Sequence, residues 1–436
     1  MISGAAFPIT RDALLELVPE ARQRTFDLVA DLTDEQLMGP RLAIVNPLRW
    51  EIAHVAWFQE QWVLRHGLGE APIRADGDAL YDSSAVPHDV RWDLPLPSRA
   101  DSLAYMREVR DRVIDRLRRG DPDPRLLYLA QYTVFHEDMH DEAFTYTRQT
   151  LGYPAPPAPA DRTGGDGGPL PGDARVPGGS FLLGAARDEP FVFDNEKWAH
   201  PVEVAAFRIA RSAVTQAEFA AFVESGAYAR RDLWSEAGWA WRMTAGADGP
   251  LHWRRAGNRW ERRDFDRWVA LEPHRPFLHV GWYEADAYCR WARRRLPTEI
   301  EWEAAAALEP NAGGTGFNGR KRRFPWGDEP PSPARANTDG KALGCLDVGA
   351  LPAGDSAFGC RQMIGNVWEW TASDFRPYPG FEPDMYSDYS QPWFGSHKVL
   401  RGGCWVTRSR LLRNTWRNFY TPDRRDVWAG FRTCAP

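Results

Sequence analysis

The sequence has little cysteine and no long apolar run. Its five cysteines are an odd number, widely scattered, and none forms a CxxC pair. That spacing argues against a zinc ribbon and against a disulfide framework, and it predicts reduced, buried thiols. No window approaches the roughly 18 apolar residues that a membrane span needs. The sequence therefore predicts no membrane-spanning segment.

The chain also lacks a strong excess of either charge. Its formal net charge is −6 over 436 residues, with 54 Lys and Arg against 60 Asp and Glu. The arginine-rich pieces are short and flanked by acidic residues, so the charge pattern gives no indication of a nucleic-acid partner. The first residues lack the basic and apolar segments of a secretory signal. We expect a soluble cytoplasmic protein, a monomer or homodimer, that binds small molecules.

Tryptophan, in contrast, is abundant. The chain has 21 Trp, most of them after residue 230, together with 37 Gly and 35 Pro. This composition indicates an irregular, loop-rich fold with an aromatic core or an aromatic-lined cavity. The length of the chain is sufficient for two or three domains, each with its own core.

Residues 9–152 show the apolar spacing that is typical of helices. Four segments carry it: Leu14–Leu32, Leu48–Leu64, Leu103–Leu117 and Leu126–Leu151. A long excursion, residues 67–97, separates the second segment from the third. We therefore predict that residues 1–152 form a four-helix bundle, an architecture that builds metal sites from side chains on facing helices.

The composition of the sequence changes after the predicted bundle. Residues 153–175 are rich in Pro, Gly and Asp and are the expected linker. From Val176 onward, short apolar runs, frequent Gly and Pro and scattered helices predict a mixed α+β domain, residues 176–436. Its helices are expected at Gln216–Glu224, Glu284–Arg293 and Glu299–Ala307.

Two histidines in the fourth helical segment are candidate metal ligands. His136 and His140 are four residues apart, so they project from one face of the helix and can hold one divalent metal ion. Glu142 is close enough to orient a ligand from behind it. On the residues alone, a histidine pair at this spacing is more often part of a solvated helix face than of a metal site.

Ordered motifs in both halves carry a family resemblance. The second half resembles the formylglycine-generating-enzyme (sulfatase-modifying factor) fold, which is related to C-type lectins. The motifs are Val176–Phe181, Phe193–Glu196, His279–Ala285, Arg295–Glu303, Phe324–Gly327, Gly365–Trp370, Arg401–Gly403 and Gly430–Arg432. The first half resembles a DinB-type bundle, whose HxxxHxE metal motif matches His136, His140 and Glu142. In this order the two domains resemble the ergothioneine-pathway sulfoxide synthases.

The resemblance implies a non-haem iron enzyme. Members of that family bind Fe(II) and use O2 to join a sulfur to the imidazole carbon of hercynine (trimethylhistidine), giving a sulfoxide. In them a third histidine comes from the second helix of the bundle, a position held here by His54. The implied iron ligands are thus His54, His136 and His140. Three imidazoles on one side of the metal leave positions open for a thiolate and for O2.

The resemblance also implies functional residues in the second domain. A tyrosine of that domain supplies a proton near the oxygen, and it corresponds to Tyr386, with Tyr389 as its neighbour. Asn418 corresponds to a residue at the polar end of the substrate. Phe419 corresponds to the aromatic beside its trimethylammonium group, which ring faces attract. On the residues alone, either tyrosine is equally consistent with a core ring whose hydroxyl is hydrogen-bonded.

Three positions depart from the pattern of the mycobacterial-type members. Two arginines that grip a γ-glutamyl carboxylate there are represented here by His88 and Arg91, so only the second is kept. Tyr420 stands where those enzymes have an aspartate, and Met139 stands where they have a glutamine. The first two changes favour cysteine or a selenosugar, as in the related selenoneine synthases, over γ-glutamylcysteine as the donor.

Three other readings compete with this interpretation. A true formylglycine-generating enzyme needs two cysteines after the Arg-Gly-Gly element, where this chain has Thr407 and Leu412. An ovothiol-type synthase, which adds sulfur to histidine, usually carries a methyltransferase domain, and the sequence contains no glycine-rich dinucleotide-like stretch. A non-enzymatic, lectin-like binding protein fused to a bundle without metal is the third reading. Iron binding separates it from the enzyme.

Overall fold

The computed structural model describes residues 9–120, 122–157 and 167–436. They form two compact units, one that ends at Pro157 and one that contains residues 167–436. The first unit is helical and the second is mixed α+β, which confirms the predicted fold class. The predicted linker, 153–175, falls partly on residues 158–166, which lie outside the described residues. Strand β1 begins at Asp173, inside the predicted linker.

Helices α1, α3, α5 and α6 of the first unit pack against one another as a bundle. The helices are α1 (Arg11–Val29), α2 (Asp34–Met38), α3 (Leu48–Gln59), α4 (Gly77–Tyr81), α5 (Arg99–Arg118) and α6 (Pro124–Leu151). Helix α3 continues into a π-helical segment, Glu60–Gly67. The bundle helices lie on the four segments that apolar spacing predicts. No helix among the described residues is long and apolar enough to cross a bilayer.

A buried polar network joins α1 to α6. The Arg22 side chain is fully buried and donates from Nε to Glu137 Oε1 at 2.7 Å and from Nη1 to the Met106 carbonyl at 2.5 Å. Thr25 Oγ1 lies 2.7 Å from Glu137 Oε1 and 2.9 Å from Asp141 Oδ1. An unpaired buried charge is costly, so these contacts favour one register of α6 against α1. Asp141 directly follows His140, so the network also holds the turn that carries this histidine.

The second unit alternates short helices and short strands. Its helices are α7 (Gln216–Glu224), α8 (Glu236–Ala245), α9 (Trp282–Trp291) and α10 (Glu299–Ala307). Its strands are β1 (Asp173–Val176), β2 (Gly179–Leu183), β3 (His200–Val204), β4 (Phe207–Ala210), β5 (Trp253–Ala256), β6 (Arg259–Asp264), β7 (Arg267–Ala270), β8 (Leu308–Pro310), β9 (Phe317–Lys321), β10 (Trp368–Asp374), β11 (Lys398–Arg401), β12 (Arg417–Tyr420) and β13 (Ala429–Gly430). Helices α7 and α10 have the predicted bounds. Helix α9 begins and ends two residues earlier than predicted.

The sheet of the second unit that carries candidate residues has the order β12–β11–β10–β13. Strand β11 is antiparallel to β10 and β12, and β13 is parallel to β10. The register pairs Leu400 with Asn418 and Val399 with Phe419. Asn418 and Phe419, two of the candidate substrate residues, therefore lie on β12, an edge strand of this sheet.

Several motif residues of the second unit form buried ion pairs. Glu369 on β10 accepts hydrogen bonds from Arg432 Nε at 2.6 Å and from the indole N–H of Trp302 at 2.8 Å. Glu299 on α10 accepts from Arg417 Nε at 3.0 Å. These pairs connect α10, the β10 sheet and the last residues of the chain around a shared core. All five cysteines are free and buried, as their spacing predicts.

Candidate metal centre

Three imidazoles converge where α3 faces α6. One nitrogen each of His54, His136 and His140 lies within 4.8 Å of the other two. The ring centroids are 5.2 Å apart for His54 and His136, 5.0 Å for His54 and His140, and 4.5 Å for His136 and His140. Within the described ranges, these are the only three His, Cys, Asp or Glu side chains grouped so that they could hold a metal ion. The histidines that the sequence singled out thus meet in space.

Local sequence explains why the imidazoles project inward. Helix α3 is mostly apolar and, except for Arg49, buried, so His54 lies in the bundle core with 2 % of its surface exposed. His136 and His140 lie one helical turn apart on α6, which places both on the face toward α3. The His140 side chain keeps 20 % of its surface exposed, whereas His136 is buried. The trio is therefore more open on the side of His140.

Burial sets the protonation of the two inner histidines. Desolvation lowers the pKa of His54 and of His136 well below the usual range, and the neighbouring imidazole of His140 lowers both further. Both rings are therefore neutral near pH 7. Neutral imidazole is the form that binds a metal ion, so no proton has to leave these two ligands.

The outward nitrogens of two imidazoles have fixed partners. His140 Nδ1 lies 2.6 Å from Glu51 Oε1, and His54 Nδ1 lies 2.8 Å from the Tyr81 carbonyl oxygen. These acceptors favour a proton on Nδ1 and leave Nε2 of each ring to bind a metal ion. With a bound ion, the arrangement would form a carboxylate–histidine–metal triad in which Glu51, on the same helix as His54, orients His140 on the opposite helix.

Glu51 is not among the residues that the sequence predicts for the site. The sequence predicts Glu142 for this supporting role; Glu142 is buried on α6, and its part in the site stays a prediction. A sequence signal for Glu51 exists, because it is an acidic residue three positions before His54 in a mostly apolar helix. A carboxylate in such a position needs a partner inside the protein.

Two aromatic rings fix the planes of the buried ligands. The His54 ring stacks on Trp50 at 4.7 Å between centroids and 11° between planes. The His136 ring stacks on Phe58 at 3.6 Å and 9°. Three imidazoles held in this way, two of them neutral, are the ligand type that suits a first-row transition metal. The residues present therefore fit a divalent metal ion.

Glu51→Gln is expected to weaken metal binding about 10–100-fold, because it removes the charge that orients and polarises His140 while keeping the side-chain volume. Competition with a chromophoric chelator measures this affinity. Glu16→Gln, on the exposed side of α1, is the matched control and should bind metal as the wild type does. Equal affinity for Glu51→Gln and the control would show that Glu51 does not support the site.

The candidate donor-binding residues lie beside the same helix. The Arg91 guanidinium lies 3.9 Å above the centre of the Trp50 ring. Its Nη1 donates to Asn46 Oδ1 at 2.7 Å, and its Nη2 donates to the Val86 carbonyl at 3.0 Å. His88 Nε2 lies 2.7 Å from the Val45 carbonyl oxygen. Arg91 and Trp50 thus form a column that ends on the His54 ring.

Met139, the other departure in this unit, lies on α6 next to His140 and is half-buried. Its position on the helix is one residue away from a candidate ligand and three residues after His136. The predicted role of Met139 in substrate binding stays a prediction.

Two candidate residues of the second unit, Tyr389 and Phe419, belong to one aromatic group. Phe419 stacks on Phe375 at 4.0 Å and 12°, and the Tyr389 ring approaches Phe419 edge-on at 5.8 Å. Tyr386 and Tyr389 share one 3-10 turn, in which the Tyr389 N–H donates to the Tyr386 carbonyl at 3.1 Å. Desolvation raises the pKa of Tyr389 far above the usual range, so its phenol keeps its proton. Tyr389 and Phe419 therefore meet as neighbours.

Two further candidates flank this group. Asn418 Oδ1 accepts from the Phe419 N–H at 2.8 Å, and the Arg424 guanidinium lies 4.9 Å from the centre of the Tyr420 ring. Asn418, Phe419 and Tyr420 are all partly exposed on β12. The strand thus presents three consecutive candidate side chains.

Comparison with known proteins covers both units. Residues 18–144 match the DinB superfamily, and residues 163–435 match the sulfatase-modifying factor enzyme 1-like domain. The hercynine oxygenase of Mycolicibacterium thermoresistibile is 41 % identical over 99 % of this chain and 96 % of its own. That of Mycolicibacterium smegmatis is 39 % identical over 97 % and 99 %. A formylglycine-generating enzyme of Streptomyces coelicolor is 34 % identical but covers 61 % of this chain and 88 % of its own.

Proposed function

This chain belongs to the hercynine oxygenase family, and on that premise we propose that it is an Fe(II)- and O2-dependent enzyme that joins a thiol or selenol to the imidazole carbon of hercynine. The products are a sulfoxide or a selenoxide. One C–H bond and one S–H (or Se–H) bond break, and one C–S (or C–Se) bond forms. One oxygen atom of O2 ends on the chalcogen and the other in water. O2 is the oxidant for all four electrons.

The observation that carries the proposal is the trio His54, His136 and His140 with Glu51 behind it. Bound Fe(II) would supply open positions at which a thiolate and O2 meet. The three imidazoles would hold the ion, and Glu51 and the Tyr81 carbonyl keep two of them in the orientation that presents Nε2. The stacked rings of Trp50 and Phe58 keep water from the inner faces of the ligands.

We assign the proton transfer to the tyrosine turn of the second domain. Tyr386 is the proposed donor to the developing oxygen, with Tyr389 as its support. Burial raises the pKa of Tyr389 far above the usual range, so this supporting phenol keeps its proton beside the proposed donor.

Substrate recognition is assigned to strand β12. The Phe419 ring, held flat against Phe375, offers a preorganised face to the trimethylammonium group of hercynine. Asn418 is the proposed partner of the polar end of hercynine. Tyr420 follows on the same strand.

The proposed chalcogen donor is cysteine or a selenosugar. Both terminal nitrogens of Arg91 donate to protein oxygens, and His88 is hydrogen-bonded to the Val45 carbonyl. These bonds support a donor that does not need a pair of cationic side chains for a distant γ-glutamyl carboxylate.

The donor assignment is tested by incubating the Fe(II)-loaded protein with hercynine, O2 and, in separate reactions, cysteine, γ-glutamylcysteine and a selenosugar. We expect kcat/KM for cysteine or the selenosugar to exceed that for γ-glutamylcysteine, because the second cationic contact is missing. The mass of each product and the initial rates are read together. A clear preference for γ-glutamylcysteine would reject the donor assignment and leave the reaction class intact.

A true formylglycine-generating enzyme is disfavoured by the residues after Arg401–Gly403. Cys404 is fully buried, and its sulfur lies 3.3 Å from Thr407 Oγ1. Because Thr407 and Leu412 stand where that chemistry needs cysteines, the second domain is assigned to substrate binding.

A further inference from the structure

A row of rings follows one face of α3 and of its π-helical continuation. His54, Phe58, Trp62 and His66 are four residues apart in sequence, which places them on one side of the helix. Successive ring centroids are 6.3, 6.1 and 5.2 Å apart. The first ring of the row is a metal ligand of the proposed site, and the last is exposed at the end of the π-helical segment. π-Helical turns are rare in proteins, and those that occur are often found at functional sites.

Helix α6 carries a second row with the same spacing. Its members are Tyr128, Tyr132, His136 and His140. Tyr128 and Tyr132 are 6.2 Å apart, and the two rows meet at Phe58, which lies 6.2 Å from Tyr132 and 3.6 Å from His136. We call the non-ligand rings of both rows, Phe58, Trp62, His66, Tyr128 and Tyr132, the ring ladder.

The ring ladder runs from the core of the bundle to its surface. Phe58 and Tyr132 are buried at 1 % and 0 % exposure, Trp62 and Tyr128 are half-buried, and His66 is exposed. Trp62 and Tyr128 are the two ladder residues with readily oxidised side chains that reach solvent; Tyr128 is the outermost ring of its row, and only His66 lies beyond Trp62. Along these ring contacts, one buried ring, Phe58, separates Trp62 from the ligand His136, and two buried rings, Tyr132 and Phe58, separate Tyr128 from it.

Packing alone does not account for the ladder. The inward positions of α1 and α5, which belong to the same core, are mostly aliphatic: Leu14, Val18, Leu28, Val109, Val113 and Leu117. Aliphatic side chains fill a bundle core as well as rings do. The rings of the ladder instead lie on the two helices that carry the histidine ligands. The ladder extends along these helices from the trio toward one end of the bundle.

We propose that the ring ladder conducts oxidising equivalents away from the metal site when O2 reacts there and no hercynine consumes the oxidant. In each event the oxidant gains one electron and one proton, and Trp62 or Tyr128 loses one electron and releases its proton to water. A small thiol in solution then returns one electron and one proton to the ring. Two thiyl radicals combine to a disulfide, which closes the balance. This inference rests on the Fe(II) and O2 part of the proposed function and not on its donor.

The test uses full-length protein loaded anaerobically with Fe(II), with its iron content measured, and then exposed to hydrogen peroxide without hercynine or thiol. Peptide mass spectrometry locates the added oxygen atoms. In the wild type, oxidation should concentrate at Trp62 and Tyr128. In the double variant Trp62→Phe, Tyr128→Phe it should move to His54, His136 and His140, and iron should be lost after severalfold fewer equivalents of peroxide. Added cysteine should protect the wild type more than the variant.

Trp92→Phe is the matched control, since this half-buried indole of the same unit contacts His88 and Arg41. It should keep the wild-type pattern. Two results would reject the ladder proposal and leave the proposed function intact. One is a wild type that is oxidised at the ligand histidines while Trp62 and Tyr128 stay intact. The other is equal iron loss in the wild type and the double variant. A wild type that binds no iron would overturn the ladder and the proposed function together, and the iron measurement separates these cases.

Discussion

His136→Ala is expected to abolish iron-dependent product formation. The substitution leaves two of three imidazoles and a cavity where a buried ring stacked on Phe58. Losing a ligand should cost more metal affinity than the about 10–100-fold that loss of an outer-sphere partner costs. Iron bound per chain after anaerobic loading, and product formed from hercynine, are the two measurements. Both should fall to the background of the unloaded protein.

The control for this variant is His88→Ala. His88 belongs to the same unit and is bonded to the Val45 carbonyl, away from the trio. Its replacement should leave the iron content of the protein unchanged, whatever it does to donor binding. Full iron content in His136→Ala would remove His136 from the ligand set.

Tyr386→Phe is expected to keep iron and to lose the chalcogen–carbon product by about 10²–10⁴-fold, the usual range for loss of a positioned proton donor. Without the phenol, the oxidant should oxidise the bound thiol instead, so thiol dioxygenation is the expected side reaction. Oxygen uptake, iron content and the masses of both products separate these outcomes.

Tyr389→Phe is the comparison for this variant, because the two residues share one turn and only one of them is the proposed donor. We expect a smaller loss of product, since Phe still fills the space between Phe193 and Phe419. Unchanged product formation by Tyr386→Phe would reject its role. A larger loss in Tyr389→Phe would transfer the role to Tyr389.

Elements with local chemical signals could be predicted closely. Helices α7 and α10 each begin after a threonine whose hydroxyl accepts from the third helical residue, a glutamate that bonds back to the threonine N–H. Those capping boxes lie within four residues of sequence, so the bounds of both helices follow from the sequence. The four-residue spacing of His136 and His140 is equally local.

Features that depend on packing between distant segments could not be predicted. Glu51 and His140 are 89 positions apart, and their contact exists only because α3 faces α6. The Tyr81 carbonyl reaches His54 through helix α4, which lies within the excursion that carried no helical prediction. Likewise, the hydrogen bond of Arg91 to Asn46 and its contact with the Trp50 ring depend on how the loop folds against α3, which its composition does not determine.

The most direct test of the proposed function is the product that the Fe(II)-loaded wild type makes from hercynine and cysteine under ¹⁸O2. We predict a product whose mass equals hercynine plus cysteine, less two hydrogens and plus one ¹⁸O atom, with the imidazole C–H signal lost. The protein prepared without iron should make none of it. Recovery of unchanged hercynine here and in parallel reactions with γ-glutamylcysteine and with the selenosugar would contradict the proposed function, whereas failure with cysteine alone would reject only that donor.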